Sequence, residues 1–70
     1  MTAEPRTVDP PKHPLCAMTT YELRDYRHQL ERAIAFSDEQ NPVPPVRHDL
    51  QARLDDALAE QDARVRLAHA

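Results

Sequence analysis

Two spacings in the sequence join residue types that bind metal ions in proteins. His13-x-x-Cys16 offers an imidazole and a thiol, and structural zinc sites combine four such ligands. The pair stands in a proline-containing stretch, and no second pair at metal-ligand spacing accompanies it. We therefore expect no zinc site there. A single cysteine also excludes an internal disulfide, which suits a reducing compartment.

Asp25-x-x-His28 has the carboxylate–histidine spacing found in di-iron helical bundles. Those sites also need glutamates that project into the bundle. At about 100° per residue, Glu22 and Glu31 fall on the outward face of the same predicted helix. We therefore interpret Asp25 and His28 as a solvated pair rather than as metal ligands.

The remaining residues give no catalytic set. His48 and His69 fall near the two ends of a predicted helix, where we expect them to be exposed. No Ser/His/Asp or Cys/His group is spaced so that two helices would bring it together, and the chain has no glycine for a phosphate-binding loop. The sequence predicts a non-catalytic protein with no cofactor, no metal and no small-molecule substrate.

The composition limits the fold class. Seventy residues, of which 40% are hydrophobic and 30% charged, form at most one small domain near the margin of independent stability. The absence of glycine removes the usual hairpin turns, and aromatic residues make up only 4% of the chain. The sequence therefore predicts an all-α fold.

Charge and hydropathy limit the partners. Twelve acidic and nine basic residues are interspersed and give a net charge of −3, so no cationic field favours nucleic acid. No apolar run approaches the length of a membrane span, and the N-terminus lacks a signal-peptide pattern. We expect a cytoplasmic protein. Eight of the nine basic residues are arginine, a bias typical of GC-rich bacterial genomes.

The first predicted helix covers about residues 19–37. Thr19 and Glu22 have the spacing of a capping box, and Met18 and Leu23 that of a hydrophobic staple across it. A three-four spacing then places one apolar stripe on the helix. The stripe consists of Leu23, Tyr26, Leu30, Ala33, Ile34 and Ser37. Pro42 ends the helix, and the proline-rich connection favours an antiparallel hairpin with Pro45 at the first position of the next helix.

The second predicted helix covers about residues 45–69 and has two faces without charge. Its main stripe consists of Val46, Leu50, Leu54, Ala57, Leu58, Gln61, Val65 and Ala68. The opposite face gathers Ala52, Ala59, Ala63, Leu67 and Ala70. Because this helix is longer than the first, we expect its last turns to lack a packing partner within the chain. Alanine is the best helix former, so this face is either a filler or a surface that another helix approaches closely.

Partner-binding residues follow from this reading. We predict Tyr26, Ala52, Ala59, Ala63 and Leu67 as the residues that contact a partner. Three acid-before-base pairs four residues apart are expected to stabilise the second helix by about 0.3 kcal/mol each. The pairs are Asp49–Arg53, Glu60–Arg64 and Asp62–Arg66.

Residues 1–17 precede the hairpin, which we assign to residues 18–70. Four prolines lie in this arm and predict an extended segment without helix or sheet. Three readings stay open: a disordered tail, an arm laid along a partner, or a start assigned upstream of the true start at Met18.

The stretch LRDYRHQLERAI resembles short coiled-coil segments, including the N-terminal docking helices of modular polyketide synthases. The resemblance covers twelve residues, departs from that pattern at Pro42 and transfers no residue roles. Because so few apolar side chains are available, we expect the hairpin to be completed by oligomerisation or by a partner chain. The leading hypothesis is a small interaction module, either an accessory or regulatory subunit or a homodimeric four-helix bundle. A docking segment that recruits a specific enzyme is the alternative, and a DNA-binding regulator is disfavoured.

Overall fold

The computed structural model describes residue 8 and residues 10–69, and all regular secondary structure in that part of the chain is helical. A 3-10 turn at Leu15–Ala17 precedes helix α1 at Thr20–Asp38, and helix α2 follows at Val46–Ala68. The two helices pack against each other over much of their length. The predicted all-α fold is confirmed, with each predicted helix boundary within one residue of the observed one.

Side-chain pairs between the helices define their antiparallel packing. Near the loop, the Arg47 guanidinium donates to Asp38 at 2.7 Å. Farther from the loop, Arg27 donates to Gln61 Oε1 at 3.0 Å. As the residue number increases along α2, the number of the contacting residue on α1 decreases, so the two helices are antiparallel, as predicted.

Helix α1 begins at the predicted capping box. The Glu22 backbone N–H donates to the Thr19 hydroxyl at 3.1 Å, and the Thr19 backbone N–H donates to the Glu22 carboxylate at 3.2 Å. The hydrogen bond from the Thr19 backbone N–H, with a smaller contribution from the Thr19 side chain, holds the pKa of Glu22 below its ordinary value, because it favours the charged carboxylate. Met18 and Leu23 are both buried in the same apolar cluster, which fits the predicted staple.

The core is built mainly from α1. Leu30 and Leu23 are completely or almost completely inaccessible to solvent, and they pack with Leu50 of α2. Every residue of the stripe predicted for α1 is buried: Leu23, Tyr26, Leu30, Ala33, Ile34 and Ser37. The three-four spacing of the sequence therefore identified the inward face of this helix correctly.

The main stripe predicted for α2 is buried only in part. Leu50 and Ala57 are the buried residues of this helix, and Leu54 packs partly buried against the core. Leu58 is 42% exposed and Val65 is 56% exposed. The core of a two-helix hairpin is too narrow to cover a stripe as wide as the one read from the sequence.

The second helix starts one residue later than its proline predicts. Pro45 has helical backbone angles but stands before the first helical residue, Val46, and no side chain caps this end. The backbone N–H groups of Arg47 and His48 donate to the carbonyls of Pro44 and Pro45, both at 3.1 Å. Pro45 therefore fixes a helical backbone conformation just before the helix begins, but it is not a residue of the helix.

The arm contains one feature that the sequence did not predict. A 3-10 turn forms at Leu15–Ala17, where the N–H of Ala17 donates to the carbonyl of Pro14 at 2.9 Å. Proline fixes its own φ near the value that such a turn needs at its start. Val8 is buried in the core cluster and Leu15 packs against it. The expectations for residues 1–7, residue 9 and Ala70 lie outside the described residues.

Candidate interaction surface

Four of the five predicted partner-binding residues lie on one exposed face of α2. Ala52, Ala59 and Ala63 are exposed, and Leu67 is 76% exposed. We call these four residues the alanine ridge. Tyr26 lies elsewhere: its side chain is 7% exposed and belongs to the core cluster. The structure therefore separates Tyr26 from the four residues with which it was grouped.

An apolar strip that the core covers only in part runs along one flank of α2. It consists of Leu54, Leu58 and Val65, which lie within about 40° of one another on the helix. Leu54 contacts the core, whereas Leu58 and Val65 project beyond it. Val65 of this strip lines a shallow groove together with Leu23, Arg27 and Gln61. We call this side of the hairpin the bare face.

Polar pairs bridge the two helices on the bare face. Arg27 donates to Gln61, and its Nε lies 3.0 Å from a Glu31 carboxylate oxygen without hydrogen-bond alignment. Asp38 and Arg47 form the second bridge, and this hydrogen bond raises the pKa of Arg47 above its ordinary value. The bare face therefore has an apolar strip on α2 and charged groups on both helices.

The arm covers the opposite side of the hairpin, where Arg53 connects three elements. Its Nε donates to the Tyr26 hydroxyl at 3.0 Å, and its Nη2 donates to the Val8 carbonyl at 3.1 Å. The guanidinium carbon also lies 5.6 Å from the centre of the Tyr26 ring, within the range of a cation–π contact. Arg53 thus fixes the arm to the middle of both helices.

Arg64 holds the arm at its other end. Its Nη2 donates to the Leu15 carbonyl at 3.0 Å and to the Met18 carbonyl at 2.8 Å, while its Nε pairs with Glu60 at 3.0 Å. The prediction that the last turns of α2 have no partner within the chain is therefore wrong at Arg64. It fails because the arm, rather than α1, supplies the partner.

All three predicted acid–base pairs of α2 form. The shortest N–O distances are 4.0 Å for Asp49–Arg53, 3.0 Å for Glu60–Arg64 and 3.1 Å for Asp62–Arg66. Sequence reasoning treated them only as helix supports and missed that two of the arginines reach the arm. A weak signal exists in the sequence: Arg53 and Arg64 lie within about 60° of Leu50 on the helical count, next to the core.

The clefts of the hairpin are shallow and carry mixed charge. One of about 290 Å³ lies between the arm and α1 and is lined by Lys12, His13, Glu22, Asp25 and Tyr26, among others. Within the described residues, no three His, Cys, Asp or Glu side chains converge on a point where a metal ion could bind. Among residue 8 and residues 10–69, no hydrogen bond in these clefts joins a nucleophile to a base. The geometry offers surfaces rather than an enclosed site.

Comparison of the chain with protein-family models, with curated proteins and with solved structures gives no match. Among the described residues, neither helix combines the length and the apolar character required to span a membrane.

Proposed function

We propose that the chain is a small, non-catalytic helical interaction module. It serves either as an accessory or regulatory subunit of a larger complex or as half of a homodimeric four-helix bundle. The observation that carries this proposal is the sparse burial of α2, in which Leu50 and Ala57 alone are buried among 23 residues. A helix of this length gains most of its stability in a folded protein from packing of an apolar face.

The exposed apolar residues are concentrated on the same helix. Leu58, Val65 and Leu67 are between 42% and 76% exposed, and all three lie in the second half of α2. On α1, Tyr21 is the large apolar side chain that is strongly exposed. Single exposed apolar residues are ordinary, but Leu58 and Val65 share one flank of α2, and neighbouring exposed apolar side chains mark a surface that another molecule covers.

The alternative function, a docking segment that uses the arm and α1, has less support. The arm is already held within the chain at two points, because Arg53 and Arg64 bind the carbonyls of Val8 and Leu15. A docking arm would first have to leave these contacts. The exposed face of α1 carries charged residues and few apolar ones.

A nucleic-acid partner has even less support. The guanidinium groups of Arg27, Arg47, Arg53, Arg64 and Arg66 all take part in ion pairs with acidic residues of the chain. Binding to phosphates needs basic groups that form one positive surface. We place the module in the cytoplasm, since its one cysteine, Cys16, is free and exposed, as is usual in a reducing compartment.

Sedimentation equilibrium and circular dichroism of the isolated chain test the proposal. We expect helicity and mass to fall together on dilution, or the chain to be poorly helical until its partner is added. A monomer that keeps cooperative thermal unfolding at micromolar concentration would contradict the proposal, because such a chain would need no second surface.

A further inference from the structure

The charges on the bare face of α1 have an arrangement that suits a reversed copy of the same helix. At about 100° per residue, Arg27 and Glu31 both point to the side away from the arm. Their midpoint along the chain is position 29. If a second α1 runs antiparallel and is centred at that position, each Arg27 lies opposite the Glu31 of the other copy. The poor alignment between Arg27 Nε and its own Glu31 leaves that carboxylate able to accept further hydrogen bonds.

The charges on the bare face of α2 repeat this arrangement independently. Arg47 lies near the loop end of the helix, and Asp62 lies toward its other end on the same flank. Their midpoint falls between positions 54 and 55. A second α2, reversed and centred at that position, brings each Arg47 opposite the Asp62 of the other copy.

The two midpoints lie at similar levels of the hairpin. Three side-chain pairs between the helices join Arg27 to Gln61, Tyr26 to Arg53 and Asp38 to Arg47. With an equal rise of about 1.5 Å per residue, these pairs place position 29 of α1 level with positions from about 50 to 59 of α2, centred near 55. One two-fold axis therefore satisfies both charge pairs at once.

One end of the apolar strip, Leu54, lies at the level of the same axis. Leu54 stands at the α2 midpoint and would meet the Leu54 of a reversed copy, while Leu58 lies one turn away over Gln51 of that copy. Leu54 already contacts the core, so its outer surface continues the core toward the second molecule. Burial of the apolar strip supplies the attraction, and the charges fix the register.

We propose that the bare face binds the bare face of a second copy of this chain, with the two hairpins antiparallel about a two-fold axis that crosses α1 at the level of position 29 and α2 beside Leu54. This inference rests on the proposed function and names the partner. The product is a four-helix bundle in which α1 packs on α1, α2 packs on α2, and each arm covers an outer side.

The area of the bare face is sufficient for such a dimer. Helix α1 is about 28 Å long from its 19 residues, and the larger transverse extent of the molecule is 19 Å. A flat face of this size covers about 540 Å², so a pair buries roughly 1,100 Å², just above the lower limit of roughly 1,000 Å² for a specific interface and below the roughly 1,600 Å² of a standard one. The dimer is thus expected to be specific and of modest affinity.

A parallel stack of two hairpins, with both loops at one end, fits less well. It places α1 over α2, so Leu58 would lie against the charged side of α1 near Arg27. The antiparallel arrangement instead places Leu54 beside Leu54 and Leu58 over the uncharged Gln51 of the other copy. Apolar area and charge then favour the same orientation.

Two charge-reversal variants, measured alone and as a mixture, test whether Arg47 of one copy lies opposite Asp62 of the other. Arg47→Glu places two acids opposite each other in its homodimer, and Asp62→Arg places two bases opposite each other. We expect each variant alone to dimerise at least about tenfold more weakly than the natural chain. An equimolar mixture of the two variants should form a heterodimer within about threefold of the natural affinity, because both pairs are then opposite in charge.

Three further variants locate the interface. Leu58→Glu should weaken dimerisation at least about tenfold, because it places a charge in the apolar contact. Asp56→Arg makes the same charge change as Asp62→Arg but on the other flank of α2, so it should leave the dissociation constant within about twofold. Ala59→Glu with Ala63→Glu alters the alanine ridge and should also leave it unchanged. Circular dichroism at high concentration checks that every variant is helical.

The outcomes separate this inference from the proposed function. A dimer that is lost in the ridge variant but kept in Leu58→Glu would contradict the bare face as the dimer interface, while the proposed interaction module would stand. A monomeric chain that becomes helical only with a foreign protein would also contradict the dimer interface and leave the proposed interaction module standing. A mixture of the two charge variants that dimerises no better than either alone overturns the antiparallel pairing. A monomer with cooperative unfolding overturns both the inference and the proposed function.

Discussion

The two helices have similar composition but are held in place by different interactions. In α1, six of 19 residues are buried, and its opposite face is charged and exposed. In α2, two of 23 residues are buried, and large apolar side chains remain on the surface. Helix α1 is thus stabilised by the core of its own chain, whereas α2 depends on contacts at its edges.

Those edge contacts are of two kinds. Ion pairs between residues four positions apart run along α2, and Arg53 and Arg64 connect this helix to the carbonyls of the arm. The helix starts also differ, because Thr19 caps α1 with its side chain whereas Pro45 gives α2 no such cap. This difference shows that a hairpin with a small core can stabilise a longer second helix if a third segment, here the arm, packs beside that helix.

The largest effect should come from a charge placed in the small buried part of α2. Leu50 is 1% exposed, so Leu50→Asp buries an unpaired carboxylate and should lower the free energy of unfolding by at least about 3 kcal/mol. Leu54→Asp should cost less for folding, because Leu54 is only partly buried. Leu67→Asp, on a residue that is 76% exposed, is the control and should change the free energy by less than about 0.5 kcal/mol. Circular dichroism melts check all three, and an unchanged Leu50→Asp melt would place the wrong face inside.

The next largest effect should come from the contact between α2 and the arm. Arg64→Gln removes the guanidinium that binds the Leu15 and Met18 carbonyls, and it should lower the free energy of unfolding by about 2 kcal/mol. Arg66→Gln breaks an ion pair of the same spacing whose side chains are 80% and 60% exposed, so it should cost less than about 0.5 kcal/mol. Urea unfolding measures both. Equal losses in the two variants would mean that the arm contributes nothing to α2.

A smaller effect is expected at the start of α1. Thr19→Ala removes the hydroxyl that accepts the Glu22 N–H, and it should lower the free energy of unfolding by about 1 kcal/mol. The neighbouring Thr20→Ala keeps the cap and serves as the control. If the two variants unfold at the same urea concentration, packing rather than capping fixes the start of α1.

The capping box also makes stability depend on pH. Because the folded state lowers the pKa of Glu22, this group favours folding above its ordinary value of 4.5, and the gain is lost as the pH falls through the lowered pKa. The melting temperature of the natural chain should therefore exceed that of Glu22→Gln at pH 7, and the difference should shrink between pH 5 and pH 3. A constant difference over this range would show that the charge of Glu22 does not contribute.

The smallest effect on folding is expected on the alanine ridge. Ala59→Glu with Ala63→Glu replaces two exposed alanines by another good helix former, so the free energy of unfolding should change by less than about 0.5 kcal/mol. Helicity at a concentration that keeps the natural assembly intact measures this. A large loss of helicity would mean that the ridge packs within the folded assembly.

The sequence predicted α1 more completely than α2 for a physical reason. The stripe and the capping box of α1 depend on spacings of three and four residues, which short-range rules describe. The stripe read for α2 was wider than the core that one neighbouring helix can cover, so Leu58 and Val65 stayed at the surface. The width of an apolar stripe alone does not show how much of it the same chain buries.

The arm contacts could not be predicted from spacing. Arg53 and Arg64 bind backbone carbonyls that lie 45 and 49 residues away, and a carbonyl has no signature in the sequence. Among the candidate residues, exposure of Ala52, Ala59, Ala63 and Leu67 followed from the helical count. Tyr26 belonged to the buried stripe of α1 by the same count, and the structure places it there.

The hydrogen bonds from the two arginines to main-chain oxygens limit how the sequence of the arm can vary among homologues. Arg53 and Arg64 bind the carbonyl oxygens of Val8, Leu15 and Met18, and every residue type has a main-chain carbonyl oxygen. Exposed arm positions such as Lys12 and His13 are therefore free to change identity, as long as the carbonyls keep their places. Insertion or deletion of a residue between Val8 and Leu15 would shift a carbonyl by about 3.3 Å and detach one end. The arm is constrained in length rather than in side-chain identity, so homologous arms should differ by substitution and not by gaps.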